Sequence, residues 1–169
     1  MNKLRPFILA AVVVLAGLLA YGLWTIPSPK PVDAEGFSSA RVVKDIEVLS
    51  KEHHSVAHPQ ERAKVREYLI GRLNGLGADT VQIFSYDSLT GPENKHVVYT
   101  FDAHNIMADF HPLKESEGTT YLMFVAHYDS RYSQPMPKDT VWSYGAADDG
   151  YGVGVILETM NHLLKTRDN

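Results

Sequence analysis

Along the chain the hydrophobic and polar positions fall into four regimes. Residues 6–26 are apolar throughout and carry no charge. A helix there would span roughly 30 Å, the thickness of a bilayer's hydrocarbon core. No polar face marks it as half-buried in a soluble core. Lys3 and Arg5 precede it, and the positive-inside rule then puts the N-terminus in the cytoplasm. Tyr21 and Trp24 stand where an interfacial belt would lie. The alternative is a cleaved signal peptide ending near Ala20-Tyr21-Gly22, although apolar residues continue past it. Three prolines, Pro27, Pro29 and Pro31, follow in a stretch too proline-rich for helix.

The second regime has helical spacing. Ser38 or Ser39 is placed to cap a helix whose apolar positions are Val42, Val43, Ile46 and Leu49. Residues 53–58 break the pattern. Pro59 suits the first position of a second helix, with Val65, Tyr68, Leu69, Leu73 and Leu76 inward and Gly75 and Gly77 at its end. The third regime favours strands. Residues 81–84 alternate, and residues 96–101 and 105–110 predict two further strands with a short turn between them. Residues 121–126 form a continuous apolar run, the pattern of a strand buried on both faces. After a polar loop over 130–147, residues 150–165 return to helical spacing, with Val153, Ile156, Leu157, Met160, Leu163 and Leu164 inward. The order predicts an α/β fold with a sheet sandwiched by helices. The organisation expected is a membrane segment over 1–26, a linker over 27–35 that lifts the domain off the membrane, and a domain over 36–169.

With 169 residues the chain holds one ordinary domain. Its net charge of −4 gives no basic footprint for nucleic acid. The absence of cysteine removes thiolate zinc sites, iron–sulfur clusters, cysteine nucleophiles and disulfides. Oligomeric state is not legible.

Chemistry concentrates after the apolar run. His127 ends it, Asp129 follows two residues later, and the doublet Asp148-Asp149 lies among glycines before the last helix. Imidazole and carboxylate together suit a borderline cation such as Zn²⁺. Sites in open α/β sheets lie beyond the carboxyl ends of strands, where His127 is expected. Asp129 can orient the imidazole, and Asp148 has two oxygens with which to bridge two cations. Each motif alone also has a bland explanation, an acidic doublet before a helix being a common cap. No His-Glu-x-x-His or Gly-x-Ser-x-Gly motif occurs. Gly150, Gly152 and Gly154 imitate a phosphate loop only loosely. His53 and His54 are expected to be exposed, and His96, His104, His111 and His162 to be surface or loop-packing residues. Trp142 and Tyr144 could wall a specificity pocket or simply pack.

The segments His127-Tyr128-Asp129-Ser130-Arg131 and Gly145-Ala146-Ala147-Asp148-Asp149-Gly150-Tyr151-Gly152-Val153 resemble the zinc-dependent exopeptidases of metallopeptidase family twenty-eight. That family includes secreted bacterial aminopeptidases and membrane-anchored endoplasmic reticulum metallopeptidases. Val65-Arg66-Glu67-Tyr68-Leu69, the helix end at Leu73, Leu76 and Gly77, and the strand at Asn105, Ile106 and Ala108 are also similar. The resemblance covers about residues 36–169. It implies a mixed, mostly parallel sheet of the phosphorylase/hydrolase-like type, and two zinc ions. His127 would be a terminal zinc ligand, Asp148 the bridging ligand and Asp129 the catalytic residue that orients His127. The bond between Asp148 and Asp149 would be cis. The implied reaction is aminopeptidase-type hydrolysis at peptide or protein N-termini by a metal-activated water. The family pattern continues with a Glu-Glu pair, a further acidic ligand and a final His, none of which follows before Asn169. Glu158 is not accepted as the missing base. The expectation is therefore a truncated chain, inactive alone. Two alternatives stand beside it: a non-catalytic, membrane-tethered binding module, and cyclisation of N-terminal Gln on the same fold.

Overall fold

The computed structural model describes residues 5–25, 31–90, 100–112, 120–131 and 144–166. The chain divides into two compact units, Met1–Lys30 and Pro31–Asn169. The first holds helix α1, Arg5–Trp24, none of whose side chains is buried. It is long and apolar enough to cross a membrane.

The second unit begins with α2, Ser39–Leu49. Ser38 is its cap: the hydroxyl accepts the Arg41 N–H at 3.3 Å. Val42, Asp45 and Leu49 face inward, whereas Val43, expected inside, is exposed because the helical turn carries it away from its neighbour. The buried Asp45 carboxylate is satisfied from the next helix. Tyr68 Oη and Arg72 Nε donate to Oδ1, the latter at 2.8 Å, and Arg72 Nη2 donates to Oδ2 at 3.1 Å. That helix, α3, is Pro59–Gly75 and starts on proline as expected. It ends where Gly77 takes a left-handed φ of 82°. The N–H groups of Gly77 and Ala78 then close on the carbonyls of Asn74 and Leu73 at 2.9 and 3.2 Å, a Schellman motif.

Strands β1, Thr80–Thr90, and β2, Thr100–Asp109, form a two-stranded antiparallel sheet. Two expectations change here. The predicted turn after Phe101 is absent, because β1 is long enough to pair through it: Tyr86 faces Ala103, Ser85 faces His104 and Phe84 faces Asn105. Residues 96–99 of the predicted strand lie outside the described residues. Residues 121–126, expected to be a buried strand, also differ. They carry no regular secondary structure, and Tyr121, Leu122, Met123 and Val125 are exposed. A strand needs a ladder partner, and among the described residues no third strand joins β1 and β2. The unit is thus mixed helix and sheet, with antiparallel rather than parallel pairing among the described residues.

Helix α4, Tyr151–Thr166, packs against α2. Gly154 permits this approach, since a Cβ there would lie 3.1 Å from Val42 Cγ1 and 3.2 Å from the Val42 carbonyl oxygen. Val153 and Leu157 of α4 join Leu49, Val65 and Leu69 in the core. Leu163, expected inside, is exposed. Glu158 is fully buried between the helices. Its Oε1 accepts the Ser38 N–H at 2.8 Å and Arg41 Nη2 at 2.6 Å, and its Oε2 accepts Arg41 Nε at 2.9 Å. Burial raises the pKa of this carboxyl, but hydrogen bonds from Arg41, Ser38 and Asn161 outweigh that and hold it below the ordinary value. Arg41 also donates to the carbonyls of Val32, Ala34 and Gly36, and Ser38 Oγ donates to that of Pro31 at 2.6 Å. From Pro31 onward the proline-rich stretch is therefore fastened to the domain.

Candidate metal centre

Ala126 and Tyr128 pack against the core cluster, and the His127 side chain between them is half exposed. Nδ1 lies 3.1 Å from the backbone carbonyl oxygen of Asp129 and 3.4 Å from its carboxylate Oδ1. A carbonyl can only accept, so Nδ1 carries the hydrogen. That leaves Nε2 for the opposite side, where Asp148 Oδ1 lies 3.0 Å away. In the neutral ring two lone pairs would face each other across this gap, so the geometry calls for a positive charge on one side or between them. The pKa of His127 follows that logic. Burial lowers it, but the hydrogen bond to Asp148, the Asp129 carbonyl and both carboxylate charges together raise it above the ordinary imidazole value.

The acidic doublet divides into two roles. The peptide bond between Asp148 and Asp149 is cis. Both residues leave helical geometry within the kinked turn Ala146–Gly150, with φ/ψ of −133°/91° and −124°/36°. Asp149 Oδ1 accepts the Gly152 N–H at 3.0 Å and so caps α4. Gly152 is required for this, because a Cβ there would stand 2.3 Å from that oxygen. Asp148 is spared the cap, turns to His127 and is mostly exposed. The cap explanation of the doublet thus holds for Asp149 alone.

The sequence-derived trio of His127, Asp129 and Asp148 is brought together. The donor set fits a borderline cation: an imidazole nitrogen with its tautomer fixed from behind, and a carboxylate oxygen facing it. Among the described residues no group of three or more His, Cys, Asp or Glu is placed to hold a metal ion. Glu158 is sealed in its clamp with Arg41, which agrees with its rejection as a base.

His53 and His54, expected to be exposed, are instead buried at 6% and 2% exposure. The loop between α2 and α3 that carries them lies beneath the site segments. The His54 N–H donates to Ser130 Oγ at 3.2 Å, and the His53 ring lies 5.3 Å from that of Tyr144. Tyr144 is thus in contact with this loop; Trp142 and His96 lie outside the described residues. His104 pairs with Ser85 Oγ at 3.0 Å. Sequence reasoning missed His54 and Ser130 as supports of the site. The adjacency of Ser130 to Asp129 was the available signal.

Comparison with known proteins bears on this segment. Residues 105–169, which include all three candidate residues, match Peptidase family M28. A vacuolar membrane protease of Laccaria bicolor is 27% identical over 151 residues, covering 84% of this chain and 13% of that protein. A vacuolar membrane protease of Pyrenophora teres f. teres is 26% identical over 184 residues, covering 96% of this chain and 18% of that protein. The chain spans less than a fifth of the length of these relatives. The resemblance to metallopeptidase family twenty-eight stands on these matches.

Proposed function

We propose that the chain carries part of the centre of a membrane-anchored, zinc-dependent peptidase of aminopeptidase type. The observation that carries this reading is the convergence of His127 Nε2 and Asp148 Oδ1 at 3.0 Å, with Nδ1 held by Asp129. His127 and Asp148 are the ligands offered to zinc, and Asp148 has the two oxygens needed to serve two ions. Asp129 holds the His127 tautomer and aims the ring. Zinc, when bound, supplies a Lewis acid that polarises a peptide carbonyl and makes water acidic at neutral pH. A catalytic zinc takes three protein ligands, so further donors and the general base come from outside the described residues. The mostly exposed Asp148 leaves the centre open to a peptide N-terminus.

The same reading makes α1 a single membrane anchor, with the N-terminus cytoplasmic and the domain on the other side. Its support is the length and apolarity of α1, the preceding Lys3 and Arg5, and the membrane proteases to which the chain is similar. A parallel sheet completed by further strands would give residues 121–126 the partners they lack in the described structure.

The test is zinc titration calorimetry of the metal-stripped full chain in detergent. Wild type is expected to bind, and His127→Ala and Asp148→Ala each to bind at least tenfold more weakly. Equal binding by all three would sink the assignment.

A further inference from the structure

The ligands sit on two segments, and a second contact between those segments lies at matched distance from each ligand. Ser130 is three residues after His127, and Gly145 is three residues before Asp148. Ser130 is 1% exposed. A Cβ on Gly145 would lie 3.1 Å from Ser130 Cβ and 3.3 Å from Ser130 Cα, so the two backbones are in close approach. The same Cβ would lie 3.3 Å from His54 Cε1. His54 therefore closes the contact from the side, and its N–H donates to Ser130 Oγ at 3.2 Å. Its ring is fixed in turn, with Nδ1 donating to the Glu52 carbonyl at 2.9 Å.

Gly145 also transmits the contact onward. Its carbonyl accepts the Gly150 N–H at 2.7 Å, closing the turn on which Asp148 sits. Its φ of 72° is left-handed, a conformation that suits glycine. On the other arm, Tyr128 packs on the core between His127 and Ser130. The loop that carries His54 joins α2 to α3, whose Leu49, Val65 and Leu69 form the core. Both ligand segments are thus referred to one rigid base. Metal distances tolerate only about 0.2 Å, so a displacement at this contact reaches the ligands as lost geometry.

We propose that Ser130, Gly145 and His54 are positioning residues that set the separation of His127 from Asp148. The proposal rests on reading that pair as metal ligands, but its geometric content can be measured without metal. In the metal-free full chain in detergent, ¹⁵N spectra of the histidine side chains report the partner of His127 Nε2. Asp148→Ala defines the unpaired signal. Ser130→Ala and Gly145→Ala are expected to move the Nε2 resonance more than halfway to that signal. The melting temperature of Ser130→Ala and the amide resonances of α2 and α3 in both variants are expected to hold, while Gly145→Ala, with its left-handed φ, melts lower. If both variants keep the wild-type resonance, or if the wild type already matches Asp148→Ala, the proposal is overturned. Should Gly145→Ala fail to fold, Ser130→Ala decides alone. Zinc titration of the same samples separates the two ideas. A wild type that binds no zinc yet shows the expected shifts removes the metal reading and leaves the positioning role.

Discussion

His127 Nε2 and Asp148 Oδ1 face each other at 3.0 Å from opposite ends of a connection that lies mostly outside the described residues. The imidazole is fixed from behind by Asp129 and its pKa is raised. A metal at this pair must displace the Nε2 proton. Zinc affinity is therefore expected to fall about tenfold per pH unit once pH drops below the raised pKa of His127. In Asp148→Ala the inflection moves toward the ordinary imidazole value of about 6.5. Calorimetry in buffers of different ionisation enthalpy checks both points through the proton released.

The clamp between α2 and α4 should dominate the stability of the second unit. Glu158→Gln keeps the shape but loses charge-assisted bonds to Arg41 and Ser38, for an expected cost of about 1–3 kcal/mol. Arg41→Ala should cost more, because it strands a fully buried carboxylate without its counter-charge. Urea unfolding of the full chain in detergent, followed by far-ultraviolet circular dichroism, ranks the two. The reverse order would show that Arg41 matters less than its bonds suggest.

Glu158 also fixes an acid limit. Its folded pKa is depressed, so its contribution is complete above the unfolded carboxylate value of about 4.3 and is lost as pH falls through the lower folded value. The gap in melting temperature between wild type and Glu158→Gln should be constant from neutral pH to about pH 5 and shrink below it. A gap that stays constant down to pH 3 would remove this residue from the acid response.

Asp149 and Gly152 should act as a pair that leaves the ligand set in place. Asp149→Ala removes the α4 cap and is expected to cost about 1 kcal/mol. Gly152→Ala pushes the same carboxylate aside and should cost no more than the lost cap, since Ala is the better helix former. Their double variant should lose less than the sum, because each alone already breaks one shared contact. Chemical denaturation of the four proteins closes this cycle.

Much of the molecule is local and was legible as such. The cap at Ser38, Pro59 at the head of α3, the glycine end at Gly77 and the span of α4 all follow from short-range rules. The apolar N-terminal helix follows from composition, and the trio His127, Asp129 and Asp148 from residue type and motif. Apart from the helix positions Val43 and Leu163, what differed involved partners distant in the chain. The turn predicted after Phe101 gave way to a long partner strand. Residues 121–126 have the composition of a buried strand and no described strand to pair with.

The sequence alone singled out His127, Asp129 and Asp148 as candidates for a metal site, near an apolar run and a helix start. Only the tertiary structure decided that Asp148 meets His127 while Asp149 caps α4. It also decided that His53 and His54 lie buried beneath the site and that Glu158 is a structural anchor. Caps depend on neighbours within four residues, so the chain order contains them, whereas packing decides which helical positions are buried, as exposed Val43 and Leu163 show. The site depends on a contact between Ser130 and Gly145 over the α2–α3 loop, and that proximity exists only once the core has brought the three segments together.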